Sequence, residues 1–342
     1  MKSLQSVPKW SPVILTVYNR PEHFRTCVAS LQANKGAEHT TLYISSDGPK
    51  SSRDAKAVAE VREFIKEIVG FKKVVVFAPP ENTEGKIQAQ VVSRVKAEHP
   101  AYIFAEDDIF FGPDFLTFVN SGLRAFAGHP EILAVCGYLY PDFPITTHSQ
   151  LYLKCFTAWG YGTWSDRDAF SERQVEVATE IFSNKALFSA ASKNLPHTIR
   201  LSREILKGNL VADDITASNR LFIEDRFCIF PPTTLVKNLG FDGSGEHCKK
   251  DFTYSRQKIS MESVLFDLEK PVTKDAKGQK FLFRIFGGRF LTVLNHLIFL
   301  EYQVRPGALR NLLSRSIDIV WALLSGGYSL LRTLRNASHK KS

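Results

Sequence analysis

Short β-branched apolar runs alternate with amphipathic helical stretches from Pro12 to Cys136, and few folds accept that pattern. The run Pro12 to Val17 (PVILTV) stops at Tyr18-Asn19-Arg20-Pro21, after which Phe24, Cys27, Val28 and Leu31 recur at helical spacing. Thr41 to Ser45 repeats the strand signal, ends in Ser46-Asp47-Gly48-Pro49, and is followed by a helical stretch from Ala55 to Val69. Strands at Val74 to Phe77, Tyr102 to Ala105 and Ile132 to Cys136 alternate with helices at Ile87 to Val95 and Pro113 to Phe126. The alternation predicts an α/β fold, a mostly parallel sheet flanked by helices. In such sheets ligands bind beyond the carboxyl ends of the strands. Asn19-Arg20, Ser46-Asp47-Gly48 and Glu106-Asp107-Asp108 all fall there and are expected to converge in one crevice.

After Tyr140 the alternation weakens into a Gly and aromatic loop, Lys154 to Arg167 (KCFTAWGYGTWSDR), then helical stretches, then Asp213-Asp214. Strand character returns from Phe227 to Leu239, and Gly240 to Cys248 is a Gly-rich polar loop. The expected organisation is a domain over 1–255, with a nucleotide-binding half 1–140 and an acceptor-side half 141–255, followed by a basic helical region 256–342.

Charge separates that last region from the rest. Residues 275–342 hold 11 Lys and Arg against 3 Asp and Glu, so eight of the nine excess positive charges of the 342-residue chain lie there. Arg284, Arg289, Arg305, Arg310, Arg315, Arg332 and Arg335 interleave with apolar residues at helical spacing, broken once by Pro306-Gly307, which predicts two amphipathic helices. Such helices either pack their apolar stripe on the body or lie in an anionic membrane interface, as a peripheral protein on the inner face of the cytoplasmic membrane. Nucleic acid is not the expected partner, since no binding motif accompanies the charge. Phe290 to Leu300 and Ile319 to Leu331 are shorter than the roughly 20 residues of a spanning helix, so no transmembrane segment is expected. Five cysteines without a CxxC pair, and no secretory leader, suit a reducing, cytoplasmic setting.

The chemistry concentrates at Glu106-Asp107-Asp108, which ends one apolar run and precedes another, Ile109-Phe110-Phe111. Adjacent acids repel unless a cation or hydrogen-bond donors neutralise them, and hard divalent ions take carboxylate oxygens together with phosphate. The same acids also suit the start of the helix that Gly112-Pro113 opens. No GxGxxG or Gly-rich phosphate loop follows the first strand, which excludes a dinucleotide oxidoreductase and a sugar-phosphate nucleotidyltransferase.

The series PVILTVYNRPEHF, YISSDGP, YIFAEDDIFFGPDF, FTAWGYGTW and FCIFPPTTLVKNLGFDGSGEH resembles a GT-A glycosyltransferase, most of all bacterial sugar transferases similar to the N-acetylglucosaminyltransferase I family. The resemblance covers about Pro12 to Cys248. It implies an inverting, metal-dependent transfer of a sugar from a nucleoside diphosphate sugar, a UDP-sugar, to a glycan or glycolipid acceptor in bacterial surface polysaccharide synthesis. It implies Mn²⁺ or Mg²⁺ on Asp108, with His247 near the metal or diphosphate, and Glu106 and Asp107 on ribose, base or sugar hydroxyls. It places Asp47 on the nucleotide base, Asn19 and Arg20 beside uridine and phosphates, and Asn82, Lys86 and Gln88 among the donor contacts. The implied catalytic base is Asp214 or Asp213, with Glu224-Asp225 as a fallback. Trp159, Tyr161 and Trp164 are expected to face sugar or to pack in the core, since flat rings with a polar edge suit a pyranose. A noncatalytic sugar-nucleotide-binding or scaffold protein on a membrane assembly is the competing reading, and hydrolysis of the donor a further one.

Overall fold

The computed structural model describes residues 6–144, 148–167, 173–243, 251–259 and 266–321; His247, Cys248 and the C-terminal stretch from 322 onward, with Arg332 and Arg335, lie outside them. The chain forms two compact units, Met1–Asp168 with Arg226–Asp275, and Ala169–Asp225 with Ala276–Ser342. This division runs elsewhere than the expected breaks after 140 and 255, because a late strand returns to the sheet while the C-terminal helices join the inserted ones.

The first unit is built on ten strands: β1 (Val13–Val17), β2 (Thr41–Ser46), β3 (Lys73–Phe77), β4 (Ala101–Glu106), β5 (Ile109–Phe111), β6 (Ile132–Cys136), β7 (Leu151–Leu153), β8 (Tyr161–Trp164), β9 (Phe227–Phe230) and β10 (Val236–Asn238). Eight of them form one sheet in the order β3-β2-β1-β4-β8-β6-β9-β7, and β10 pairs with β5 in a small second sheet. Helices α1 (Pro21–Gln32), α2 (Ser52–Glu67) and α3 (Lys86–Glu98) follow β1, β2 and β3, and α4 (Phe115–Ala125) follows β5.

The expected α/β architecture is present, and β3, β2, β1 and β4 run parallel. The rest of the sheet is mixed, with β8 antiparallel to β4 and β6, and β7 antiparallel to β9. Strands β5, β7 and β8 are three or four residues long, too short to show a period in the sequence. Val13, Leu15 and Val17 of β1, Leu42 and Ile44 of β2, and Ile103 and Ala105 of β4 are buried in one core with Phe24, Leu31, Phe115 and Val119 of the helices. Each fully buried Val, Leu or Ile side chain contributes roughly 1.5–3 kcal/mol, so the strands carrying the crevice are the firmest part of the unit.

The second unit is helical: α5 (Gln174–Ser183), α6 (Lys185–Asn194), α7 (Pro196–Leu206), α8 (Asp213–Ile223), α10 (Ala276–Ile285) and α11 (Gly288–Gln303), the short α9 (Phe252–Ser255) belonging to the first unit. Residues 308–321 are also helical. Among the described residues the basic region therefore breaks at Gly287 as well as at Pro306. At Gly287 φ is +98° and an added Cβ would lie 2.4 Å from Leu291 Cγ, so only glycine turns the chain at that point. Leu291, Leu294 and Ile298 of α11 are buried, and Asn295 Nδ2 donates to Ser192 Oγ and the Pro196 carbonyl, both at 2.9 Å. Among the described residues no single helix is long and apolar enough to cross a membrane; α10 and α11 together reach that length and composition, bent by 71° at their break.

Candidate active site

The sheet order reverses at β1: β2 lies on one side and β4, reached later in the chain, on the other. The crevice beyond the carboxyl ends of β1 and β4 is thus the topological switch point, where an open α/β sheet receives ligands. The loop after β1 supplies Asn19 and Arg20, and the turn after β4 supplies Asp107 and Asp108. Thr16 is in register with Glu106, which brings the two loops side by side.

Arg20 caps the start of α1 and reaches both acids, Nη1 donating to Asp108 Oδ2 at 2.9 Å and Nη2 to Asp107 Oδ1. Asp107 and Asp108 are only 3% and 5% exposed, and Asp107 Oδ2 and Asp108 Oδ1 are buried with no hydrogen-bond partner. Burial pushes the Asp107 carboxyl up, against the opposing pull of Arg20. Burial also works against the charge on Arg20, but the two carboxylates outweigh it and hold the guanidinium protonated. One cation faces two buried carboxylates, so the turn keeps one uncompensated negative charge and two oxygens aimed at nothing.

Two further elements fix the turn. The Asp108 carbonyl accepts from Leu239 N–H at 2.7 Å at the end of β10, whose Asn238 is in register with Ile109. Gly240 approaches so closely that a Cβ there would sit 2.5 Å from Asp108 Oδ2. Beside this turn opens a cavity of about 320 Å³ lined by Glu22, His23 and Thr26 of α1 and by Lys237, Asn238, Leu239 and Asp242. His23 Nε2 lies 3.2 Å from Asp242 Oδ2 across it. His23 and Lys237 carry no sequence signal: Lys237 arrives only through the pairing of β10 with β5.

The fit to a divalent ion can be judged from this donor set. No group of three or more His, Cys, Asp or Glu suited to a metal occurs among the described residues. Two adjacent carboxylates with free oxygens are what a Mg²⁺- or Mn²⁺-type ion uses when phosphate and water complete its shell. The residues present fit such an ion shared with a diphosphate. Glu106, at the strand end, is exposed.

Asp47 is spent differently. Its Oδ1 accepts from the N–H groups of Gly48 and Thr83, each at 2.8 Å, and from Thr83 Oγ1 at 3.0 Å, while Oδ2 accepts from Gly85 N–H at 3.1 Å. Desolvation would raise its pKa, but the hydrogen bonds from Thr83, Gly85 and Gly48 outweigh it and hold the carboxyl below the ordinary range. Asp47 is therefore a clamp on the loop before α3, a use the SDG turn alone does not reveal. Asn82 completes the clamp, Nδ2 donating to the Gly48 carbonyl at 2.6 Å and Oδ1 accepting from Glu84 N–H at 3.0 Å. Lys86 is exposed at the first turn of α3, with Gln88 half-buried two residues on. Asn19 Nδ2 donates to Asp54 Oδ1 at 3.0 Å and Tyr18 Oη accepts from Lys50 N–H at 2.7 Å, tying the β1 loop to the segment after β2. The three polar clusters thus form one connected rim.

Tyr161 and Trp164 correct the sugar-facing expectation. Both lie on β8, buried in the sheet. Trp164 Nε1 donates to the Leu123 carbonyl at 3.0 Å, and the Arg167 guanidinium covers the ring at 3.7 Å, so no face remains for a sugar. Tyr161 packs against Phe104 and Phe156. Trp159 is half-buried against Tyr138, Phe241 and Tyr254.

In the helical unit, Asp213 and Asp214 open α8. Gln174 joins them to α5, Nε2 donating to Asp213 Oδ1 at 2.7 Å and Oε1 accepting from Ala212 N–H at 2.9 Å, so Asp213 holds the helix start. Asp214 Oδ1 accepts from Ile215 N–H at 2.8 Å. Desolvation pushes its carboxyl upward, opposed by the backbone N–H of Ile215, while its side chain stays exposed at the surface. Glu224 is spent on Arg220, whose Nε lies 2.6 Å away.

No protein-family profile and no curated protein sequence matches the chain. Solved structures are similar in part, among them two of S. aureus TarS. S. aureus TarS 1-349 aligns at 11% identity and a TM-score of 0.33, over 46% of this chain and 47% of that one. S. aureus TarS aligns at 12% identity and a TM-score of 0.31, over 49% of this chain and 29% of that one. The matches span less than half the length of either TarS chain.

Proposed function

We propose that this chain is an inverting glycosyltransferase of the GT-A type, transferring one sugar from a UDP-sugar to a glycan or glycolipid acceptor in bacterial surface polysaccharide synthesis. The observation that carries the reading is the pair of unpartnered buried oxygens on Asp107 and Asp108 at the switch point of the sheet. Nothing in packing explains why two acids should be buried beside one arginine, whereas a diphosphate with its divalent ion does. Asp108, with Asp107 beside it, would hold Mn²⁺ or Mg²⁺, which supplies charge neutralisation of the leaving diphosphate. Arg20 orients the two carboxylates and presents a cation to the phosphates. Lys237 adds a cation and His23 a hydrogen-bonding ring in the adjoining cavity, beside the acids Glu22 and Asp242. Glu106, exposed at the rim, is the proposed contact for sugar or ribose hydroxyls. The clamp of Asp47 and Asn82 shapes the loop that carries Lys86 rather than offering a free carboxylate to the base.

Transfer requires a carboxylate to take the proton of the acceptor hydroxyl while its oxygen attacks C1 and the C1–O bond to the diphosphate breaks. Asp214 is the proposed base, an assignment carried by its sequence context. Titration calorimetry of UDP, GDP and dTDP, with and without Mn²⁺, tests the donor reading. Manganese-dependent binding of UDP is expected, lost in Asp108→Ala and retained in Asp214→Asn, which should fail only in transfer. Equal UDP binding by wild type and Asp108→Ala would overturn the site, and normal transfer by Asp214→Asn would overturn the base alone.

A further inference from the structure

Helix α11 is inside out. Its buried face carries Asn295 and Glu301 as well as Leu291, Leu294 and Ile298, with Glu301 held by Arg203 Nε at 2.6 Å. Its exposed face carries Phe290, Val293, Leu297 and Leu300, which are 42–68% exposed and recur at helical spacing along one stripe. The helical residues 308–321 repeat the arrangement. Ile317 is buried, while Leu309, Leu312, Ile319 and Val320 are exposed at 39–62% and fall on one stripe. A helix apolar on both faces is stable only when the outer face is also covered.

The charges around these stripes say what the cover is. Residues 276–321 contain seven Lys and Arg, namely Lys277, Lys280, Arg284, Arg289, Arg305, Arg310 and Arg315, against two acids. Both acids are engaged from within the unit, Glu301 and Asp318 each lying 2.6 Å from Arg203. By helical spacing Arg289 lies beside the stripe of α11 and Arg315 beside that of the following helix, both exposed and neither in an ion pair among the described residues. A second copy of the chain would bring the same cations against themselves, whereas a surface that is apolar inside and anionic at its rim complements them.

We propose that the outer face of α11 and of the helix at 308–321 docks on an anionic lipid bilayer, the apolar stripes entering the acyl boundary and the arginines lying among the headgroups. This inference is independent of the transferase reading, since it concerns only the helical unit. Flotation of the full chain with vesicles of phosphatidylcholine, alone or mixed with phosphatidylglycerol, tests it. Wild type should float with the mixed vesicles and far less with the neutral ones. Val293→Glu with Leu297→Glu should lower binding at least about tenfold, because exposed apolar area that would be buried is replaced by charge. Arg289→Gln and Arg315→Gln should each lower it about fivefold, and salt should act in the same direction. Should the glutamate pair disturb folding, as unfolding curves would reveal, Phe290→Ser with Leu300→Ser makes the same test. Failure of wild type to float with either vesicle, or equal flotation of wild type and the glutamate pair, overturns the proposal. So does a wild-type dimer in light scattering that Leu297→Glu converts to monomer, which would make a second copy the occupant.

Discussion

Replacing Arg20 by Gln removes the cation from between two buried carboxylates and leaves their shape intact. The side chains of Asp107 and Asp108 are 4% and 7% exposed, and that of Arg20 is 23% exposed. Breaking a buried ion pair by removing one partner costs about 3–5 kcal/mol, and the partial exposure of Arg20 puts this case near the lower end, about 3 kcal/mol. For the sheet unit, Met1–Asp168 with Arg226–Asp275, that lowers the thermal midpoint by about 6–12 °C. The loss should be recoverable in two ways. Mn²⁺ alone, at about a hundred times its dissociation constant for the variant, returns about 2.7 kcal/mol to the variant by linkage, close to what it lost relative to metal-free wild type. A proton does the same, because Asp107 is already pushed up by burial and loses the arginine that opposes the push. A carboxyl raised in the folded state stabilises below its unfolded value and loses that contribution as pH rises through its folded value. The deficit of Arg20→Gln should therefore shrink as pH falls toward the ordinary aspartate value of 3.8. Scanning calorimetry across pH, with MnCl₂ or EDTA, measures both recoveries. A midpoint unchanged by the substitution, or a deficit that neither Mn²⁺ nor acid repairs, would show that the pair is not a cation-binding site.

Asp47→Ala should destabilise the sheet unit by about 2–3 kcal/mol, since hydrogen bonds to an ionised group are worth about 1.5–3 kcal/mol and several are lost together. Because Asp47 titrates below the ordinary 3.8, the wild-type advantage should be complete above that pH and vanish as pH falls through its folded value, which urea titrations of both proteins would follow. Gly240→Ala places a Cβ 2.5 Å from Asp108 Oδ2 and should cost about 1–3 kcal/mol by overpacking, with manganese-dependent UDP binding weakened in calorimetry. In the helical unit, Arg203→Ala leaves Glu301 buried without its partner and should cost about 3–5 kcal/mol, visible as faster hydrogen exchange in α11.

The strands that form the crevice were legible because their residues are buried on both faces and read as unbroken apolar runs. The loops after them were legible because Asn-Arg-Pro, Asp-Gly-Pro and three acids cannot sit inside such runs. What these loops touch was not legible. Nothing local to Asp47 says that its oxygens are taken by Thr83 and Gly85, since that contact depends on the loop after β3 returning beneath β2. Gly240 reaches Asp108, and Lys237 the adjoining cavity, only because β10 pairs with β5, two segments of three residues separated by more than a hundred positions. Trp164 misled for a related reason: a Gly and aromatic run reads equally well as a sugar platform or as a short core strand, and only its pairing between β4 and β6 decides.

The basic helices show where periodicity stops informing. Helical spacing marks the apolar positions of α11 on nearly every side, and it says nothing about which side meets the body. Asn295 and Glu301 would ordinarily mark the solvent face, and they are the residues buried here because Ser192, Pro196 and Arg203 satisfy them. Once the polar positions are used inside, the outer side of α11 is left with Phe290, Val293, Leu297 and Leu300 exposed, beside Arg289 and His296. An interior that consumes its own polar groups in this way hands the hydrophobic surface to whatever lies outside. For an apolar stripe with Arg289 at its edge, in a segment of seven cations and two acids, the complementary surface is an anionic bilayer.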